Sequence, residues 1–102
     1  MTLPRDEFIT KKPLEVFDYD MDFTPDLTSG EILSTDEVKV FDSEGADVTS
    51  TILDSSSHSS MAVKAWFKAG ADEKSYLAQF KVTTSRSATL VEELLIHVRS
   101  KL

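Results

Sequence analysis

The chain has 102 residues, no cysteine, and 18 acidic against 11 basic side chains for a formal charge of −7. That length suits one compact domain, and the lack of thiols excludes disulfide frameworks, thiolate catalysis and most structural zinc sites. The negative charge opposes phosphate backbones and anionic headgroups, no apolar run approaches the roughly 18 residues of a membrane helix, and the scattered basic residues form no stripe, so neither nucleic acid nor membrane is expected as a direct partner.

Residues 1–13 mix charge with Pro4 and Pro13 and show no periodicity, which predicts a flexible N-terminal arm ahead of a domain spanning 14–102. The arm carries acids and no apolar h-region, so it is not read as a secretory signal, and synthesis in a reducing cytoplasm is expected. From Leu14 to Phe23, FDYDMDF places Tyr19, Met21 and Phe23 in alternation with Asp18, Asp20 and Asp22, the pattern of a half-buried strand with one acidic face. Pro25 and TPDLTSGE then supply a turn before Ile32 and Leu33.

Glu37–Phe41, with Val38 and Val40 on one face, leads into DSEG, where Gly45 suits a positive φ; the β-branched stretch Ala46–Leu53 reads as the returning strand of a hairpin. DSSSHSS, residues 54–60, is predicted to be a polar loop with no reason to pack. In MAVKAWFK, Met61, Val63, Ala65 and Phe67 share one face and Trp66 the other; after AGADEKS, Tyr76, Ala78, Phe80 and Val82 alternate in the same way, and these two runs are read as the clearest hairpin. SRSA marks another turn. TLVEELLIHVRSKL fits a strand through Leu94, Ile96 and Val98, although its apolar spacing and a capping box at Thr89 and Glu92 also suit a helix; the run of short strands around it favours the strand. Turn signals every 8 to 12 residues or so predict an all-β sandwich.

Few residues suggest chemistry. The Asp18, Asp20, Asp22 series has the odd-position spacing of a calcium loop, but Phe23 occupies the glycine turn position and Ser29 stands where a bidentate glutamate is needed. On a strand the carboxylates lie about 7 Å apart, too far to share an ion unaided, which favours a solvated face or one that steers a basic neighbour. His58 among its serines lacks a GxSxG-type elbow, and His97 is read as a surface histidine too distant in sequence from His58 for metal spacing. Gly30, Gly45 and Gly70 are isolated, which excludes a phosphate loop. No catalytic residue, cofactor or metal is therefore assigned. Trp66, opposite the apolar face of its strand, and Tyr76 are the candidate interface anchors, together with Asp18, Asp20 and Asp22.

The order DFTPDLTSGEIL, a short hairpin, VKAWFKAG, YLAQFKVTTSRSAT and a closing IHV resembles small immunoglobulin-like β-sandwich proteins of tailed bacteriophages and prophages, some described as fibre-tail adaptors. The resemblance covers residues from about 19 to 98. It departs from the family pattern at Phe23, where tryptophan is frequent, in a longer charged turn between Gly70 and Tyr76, and in SRSAT, which lacks the glycine often placed there. It implies a single immunoglobulin-like antiparallel β-sandwich of about seven strands. It also implies a non-enzymatic structural or adaptor role in the neck, tail or tail-fibre attachment of a phage particle, with other virion proteins and further copies of the chain as partners and the virion as final location. An unpaired sheet edge or strand addition by the arm would serve the same docking. The competing expectation is a carbohydrate- or cell-surface-binding sandwich module, with calcium assistance in the acidic face as a variant of it, favoured if Trp66 is exposed.

Overall fold

Seven strands pack as two sheets in a computed structural model that describes residues 8–100. They are β1 (Phe8–Lys11), β2 (Phe17–Asp22), β3 (Leu33–Asp42), β4 (Leu53–His58), β5 (Ala62–Phe67), β6 (Lys74–Thr84) and β7 (Thr89–Val98). One sheet has the order β1-β7-β6-β3 and the other β2-β5-β4. The three-stranded sheet and the β3, β6, β7 group follow the immunoglobulin arrangement, with the first strand crossing to pair with the last. The expected sandwich is thus present, and the ambiguous closing segment is strand β7.

Alternation accounts for most of the core. Met21, Val63, Ala65 and Phe67 point inward from one sheet, and Val38, Val40, Ala78, Phe80, Val82, Leu94 and Ile96 from the other. Phe80 is central: its ring meets Phe67 edge-on at 6.3 Å and Tyr19 at 6.4 Å, tying the sheets together. Burying each such side chain contributes about 1.5–3 kcal/mol. Phe23, just past β2, is fully buried and its N–H donates to the Met61 carbonyl, so phenylalanine fills the space in which the resemblance favours tryptophan.

Five local expectations differ from the structure. Phe8–Lys11, assigned to the arm, forms β1, and it pairs in parallel with β7, so the sandwich is not wholly antiparallel; residues 1–7 lie outside the described residues. Lys11 holds the strand down: its side chain is buried and Nζ donates to the carbonyls of Lys12, Pro13 and Ala69. Desolvation pulls the Lys11 pKa below the ordinary lysine value, against the opposing pull of the Glu15 carboxylate.

The DSEG turn forms with Gly45 at φ +86°, but the returning strand shrinks to a single bridge between Phe41 and Asp47. The Asp47 carboxylate accepts the Thr49 N–H at 2.9 Å and its hydroxyl at 2.6 Å, turning the chain into one helical turn, Thr49–Ile52, that carries it to the other sheet. The serine-rich stretch is not a loop. It is β4, exposed along Asp54–His58 and held by antiparallel pairing with β5. Finally, β5 and β6 are no hairpin, because β5 pairs with β2 and β4 while β6 pairs with β3 and β7. Instead β5 forms a hairpin with β4, and β6 forms one with β7, closed by Thr84 N–H to the Ala88 carbonyl, with Ser87 at φ +63°, a conformation that favours the glycine missing from SRSAT.

Candidate docking surface

The outward face of the three-stranded sheet follows from its register. Asp18 pairs with Trp66, Asp20 with Lys64 and Asp22 with Ala62, so the odd-numbered core positions turn in and these six turn out. On the far side β4 sets Ser55 beside Trp66 and Ser57 beside Lys64, after a bulge between Leu53 and Ser55. Trp66 therefore lies on the central strand, flanked by a carboxylate and a hydroxyl, and is 39% exposed. Its indole supplies large contact area at low entropic cost, the chemistry of an interface anchor.

The acidic row is partly engaged. Asp18 Oδ2 lies 3.5 Å from Lys64 Nζ, and Asp22 Oδ1 accepts the Thr24 N–H at 2.8 Å, at the start of the 3₁₀ turn Thr24–Asp26. Lys68 approaches Asp54 at 3.9 Å on the same face. Such exposed pairs stabilise the fold by about 0–1 kcal/mol, so their main effect is to set the potential a partner meets. Among the described residues no group of three or more His, Cys, Asp or Glu side chains is placed to hold a metal ion. No described helix is long and apolar enough to cross a membrane.

Tyr76 does not join this surface. It is only 9% exposed, belongs to the core of the four-stranded sheet, and its hydroxyl accepts the Ala71 N–H at 3.0 Å. The β6 alternation that set it in register with Ala78 and Phe80 is the signal that places it inside. Gly70 is pressed against the same cluster: a Cβ there would stand 2.7 Å from Val98 Cγ2, at φ +101°.

Sequence reading missed the link between the two open edges. Asp36 points inward from β3, and its carboxylate meets His58 Nδ1 at 2.5 Å and accepts from Ser56 Oγ at 3.4 Å on β4. His58 is thus held, rather than loose in a polar loop. The arrangement is not a hydrolase triad: the serine hydroxyl goes to the acid, and among the described residues no serine hydroxyl bonds the His58 ring. The spacing of Asp36 and His58 across 22 residues gave no local pattern by which to find the pair.

At one end of the sandwich Glu31 is buried, with Oε1 accepting from the Thr28 N–H and hydroxyl and Oε2 from the Thr84 hydroxyl, and with Arg86 at 3.8 Å. The Thr28 N–H and then the Thr84 hydroxyl hold its carboxyl below the ordinary glutamate value. These bonds join the loop before β3 to the β6–β7 turn, which fixes that end without exposing a reactive group.

Comparison with known proteins adds one match. The model of the family Gp77, described as podophage GP4 fiber-tail adaptor protein gp77, matches residues 11–97, a span from the end of β1 to the end of β7. No curated protein matches the chain significantly.

Proposed function

Because the chain belongs to the podophage GP4 fiber-tail adaptor family, we propose that it serves as a structural adaptor in the tail of a phage or prophage particle, joining other virion proteins without catalysis. The Asp18, Asp20, Asp22 and Trp66 face is its docking surface. The observation that carries this choice is Trp66, an exposed aromatic on the central strand of a sheet whose outer face otherwise carries mainly carboxylates, hydroxyls, Lys64 and Lys68. An anchor of that kind supplies binding energy while the acidic row selects a basic neighbour and steers its approach. In this reading the sandwich from β1 to β7 acts as the domain, with synthesis in the host cytoplasm before incorporation.

Immunogold labelling of particles released on prophage induction tests the location. Gold on the neck or tail is expected; unlabelled particles with the protein left in soluble lysate overturn the reading. A phage carrying Trp66→Ala then tests the surface, since tails lacking the adaptor or its attached fibre are expected while the isolated variant stays folded. Exposure of Trp66 beside Asp18 and Ser55 also favours a second reading, glycan binding on the indole. Quenching or shift of the Trp66 emission on titration with host surface polysaccharide checks it.

A further inference from the structure

The opposite face of the sandwich carries a feature that the adaptor reading does not use. Across the outer side of the four-stranded sheet, Phe8 stands beside Leu95, Leu95 beside Leu77, and Leu77 beside Phe41, an unbroken apolar row at right angles to the strands. Phe8 is 63% and Leu95 37% exposed, while the next residues on each strand point into the core. Single exposed apolar residues are ordinary, but a row spanning every strand of a sheet marks a contact surface.

We propose that this row is the core of a two-fold interface with a second copy of this chain. The rows on either side of it supply the complementarity. One position along, toward the start of β7, lie Glu93 and Gln79; one position the other way lie His97 and Ser75. A two-fold axis laid along the apolar row stacks that row on itself and turns each neighbouring row onto the other. Glu93 of one copy then faces His97 of its partner, twice by symmetry, and Gln79 faces Ser75. The geometry suits sheet packing: strands stay aligned, and sheets about 10 Å apart let a glutamate and a histidine meet between them. His97 is prepared for this contact. Its Nδ1 lies 2.9 Å from Ser75 Oγ and its ring meets Phe8 edge-on at 5.5 Å, which fixes the ring; with the serine hydroxyl as donor, the ring proton would sit on Nε2 and face the carboxylate.

Strand spacing and rise give this face about 500 Å². That is below the roughly 800 Å² per partner of a standard interface, so the dimer is expected at micromolar or weaker affinity. Two docked copies would leave both Trp66 faces pointing outward.

Sedimentation equilibrium on the full chain from about 10 μM to 1 mM tests the pairing, with the range set by that affinity. A concentration-dependent monomer–dimer equilibrium is expected; a monomer throughout overturns the proposal, as does growth beyond dimer. Leu95→Glu, at a site a folded monomer tolerates, is expected to weaken association about a hundredfold by facing two carboxylates across the apolar row. Undiminished association in that variant places the contact elsewhere. Glu93→Lys and His97→Glu should each weaken the dimer about tenfold, and the double variant should restore it to within about threefold of the parent. A double variant as weak as the poorer single one refutes the two-fold register.

Discussion

Trp66 and Leu95 are almost equally exposed, 39% and 37%, yet they occupy opposite kinds of surface. Trp66 stands alone among Asp18, Asp20, Asp22, Lys64 and serines, where charge dominates what a partner meets at a distance. Leu95 stands in an apolar row with Phe8, Leu77 and Phe41, where burial dominates and charge only sets register. Equal exposure therefore predicts different behaviour: contact at Trp66 should be sensitive to salt and to the sign of the partner, and contact at Leu95 much less so. One small sandwich presents two surfaces that do not compete for the same chemistry.

The largest disruption removes what both surfaces share. Phe80→Ala opens a cavity between the sheets beside Phe67 and Tyr19 and is expected to cost about 3–5 kcal/mol, read as a fall in denaturation midpoint, with both faces lost together. A midpoint unchanged within error would mean the faces are not carried by this core.

Lys11→Ala separates the faces. Loss of the Nζ bonds to the Lys12, Pro13 and Ala69 carbonyls should cost about 2 kcal/mol and loosen β1, taking Phe8 from the apolar row. Hydrogen exchange should then rise in Phe8–Lys11 and along β7 while β5 keeps its protection; equal loss in β5 would contradict the separation.

Acid acts on neither face first. Hydrogen bonds hold the carboxyls of Glu31, Asp47 and Asp72 below their ordinary values, from Thr28 N–H and the Thr84 hydroxyl, from the Thr49 hydroxyl and N–H, and from the Ser100 hydroxyl and N–H respectively. A depressed carboxyl contributes stability that is complete above its ordinary value, 4.5 for Glu31 and 3.8 for the aspartates, and is lost as pH falls through the depressed one. The melting temperature should hold from neutrality to about that region and then decline, whereas a decline already under way near pH 6 would point to other groups.

The smallest effect on stability is expected at the proposed docking face. Trp66→Ala should change unfolding free energy by about 1 kcal/mol while costing at least about 2 kcal/mol of partner binding, measured by calorimetry on an isolated tail subcomplex. A destabilisation as large as that of Lys11→Ala would recast Trp66 as part of the fold.

Alternation made the facing of most side chains legible in sequence: Met21 inward against Asp20 and Asp22 outward, Val63 and Phe67 inward against Trp66. It also placed Tyr76 with Phe80, which argued for its burial more strongly than for an interface. What alternation does not encode is the neighbour. The period of two is the same whether β5 pairs with β6 or with β2, so the apparent β5–β6 hairpin was legible as two strands but not as members of different sheets. Ser55–Ser57 form a strand by pairing alone, with no β propensity to announce it, and Phe8–Lys11 depends on a parallel partner 87 residues away in the Phe8 to Leu95 register. The candidate surface was therefore visible one strand at a time, while the apolar row, assembled from four strands, emerges only from their registers.

The parallel pairing of β1 with β7 has a mechanical side. The chain enters the Phe8–Lys11 ladder at one end and leaves β7 beyond the other, so tension separating residue 8 from residue 98 would load the four paired positions together in shear instead of peeling them in turn. With Lys11 clamped at the end of that ladder, a subunit pulled along this axis would resist as a unit before yielding, a useful property in a joint that must stay closed while force passes through it.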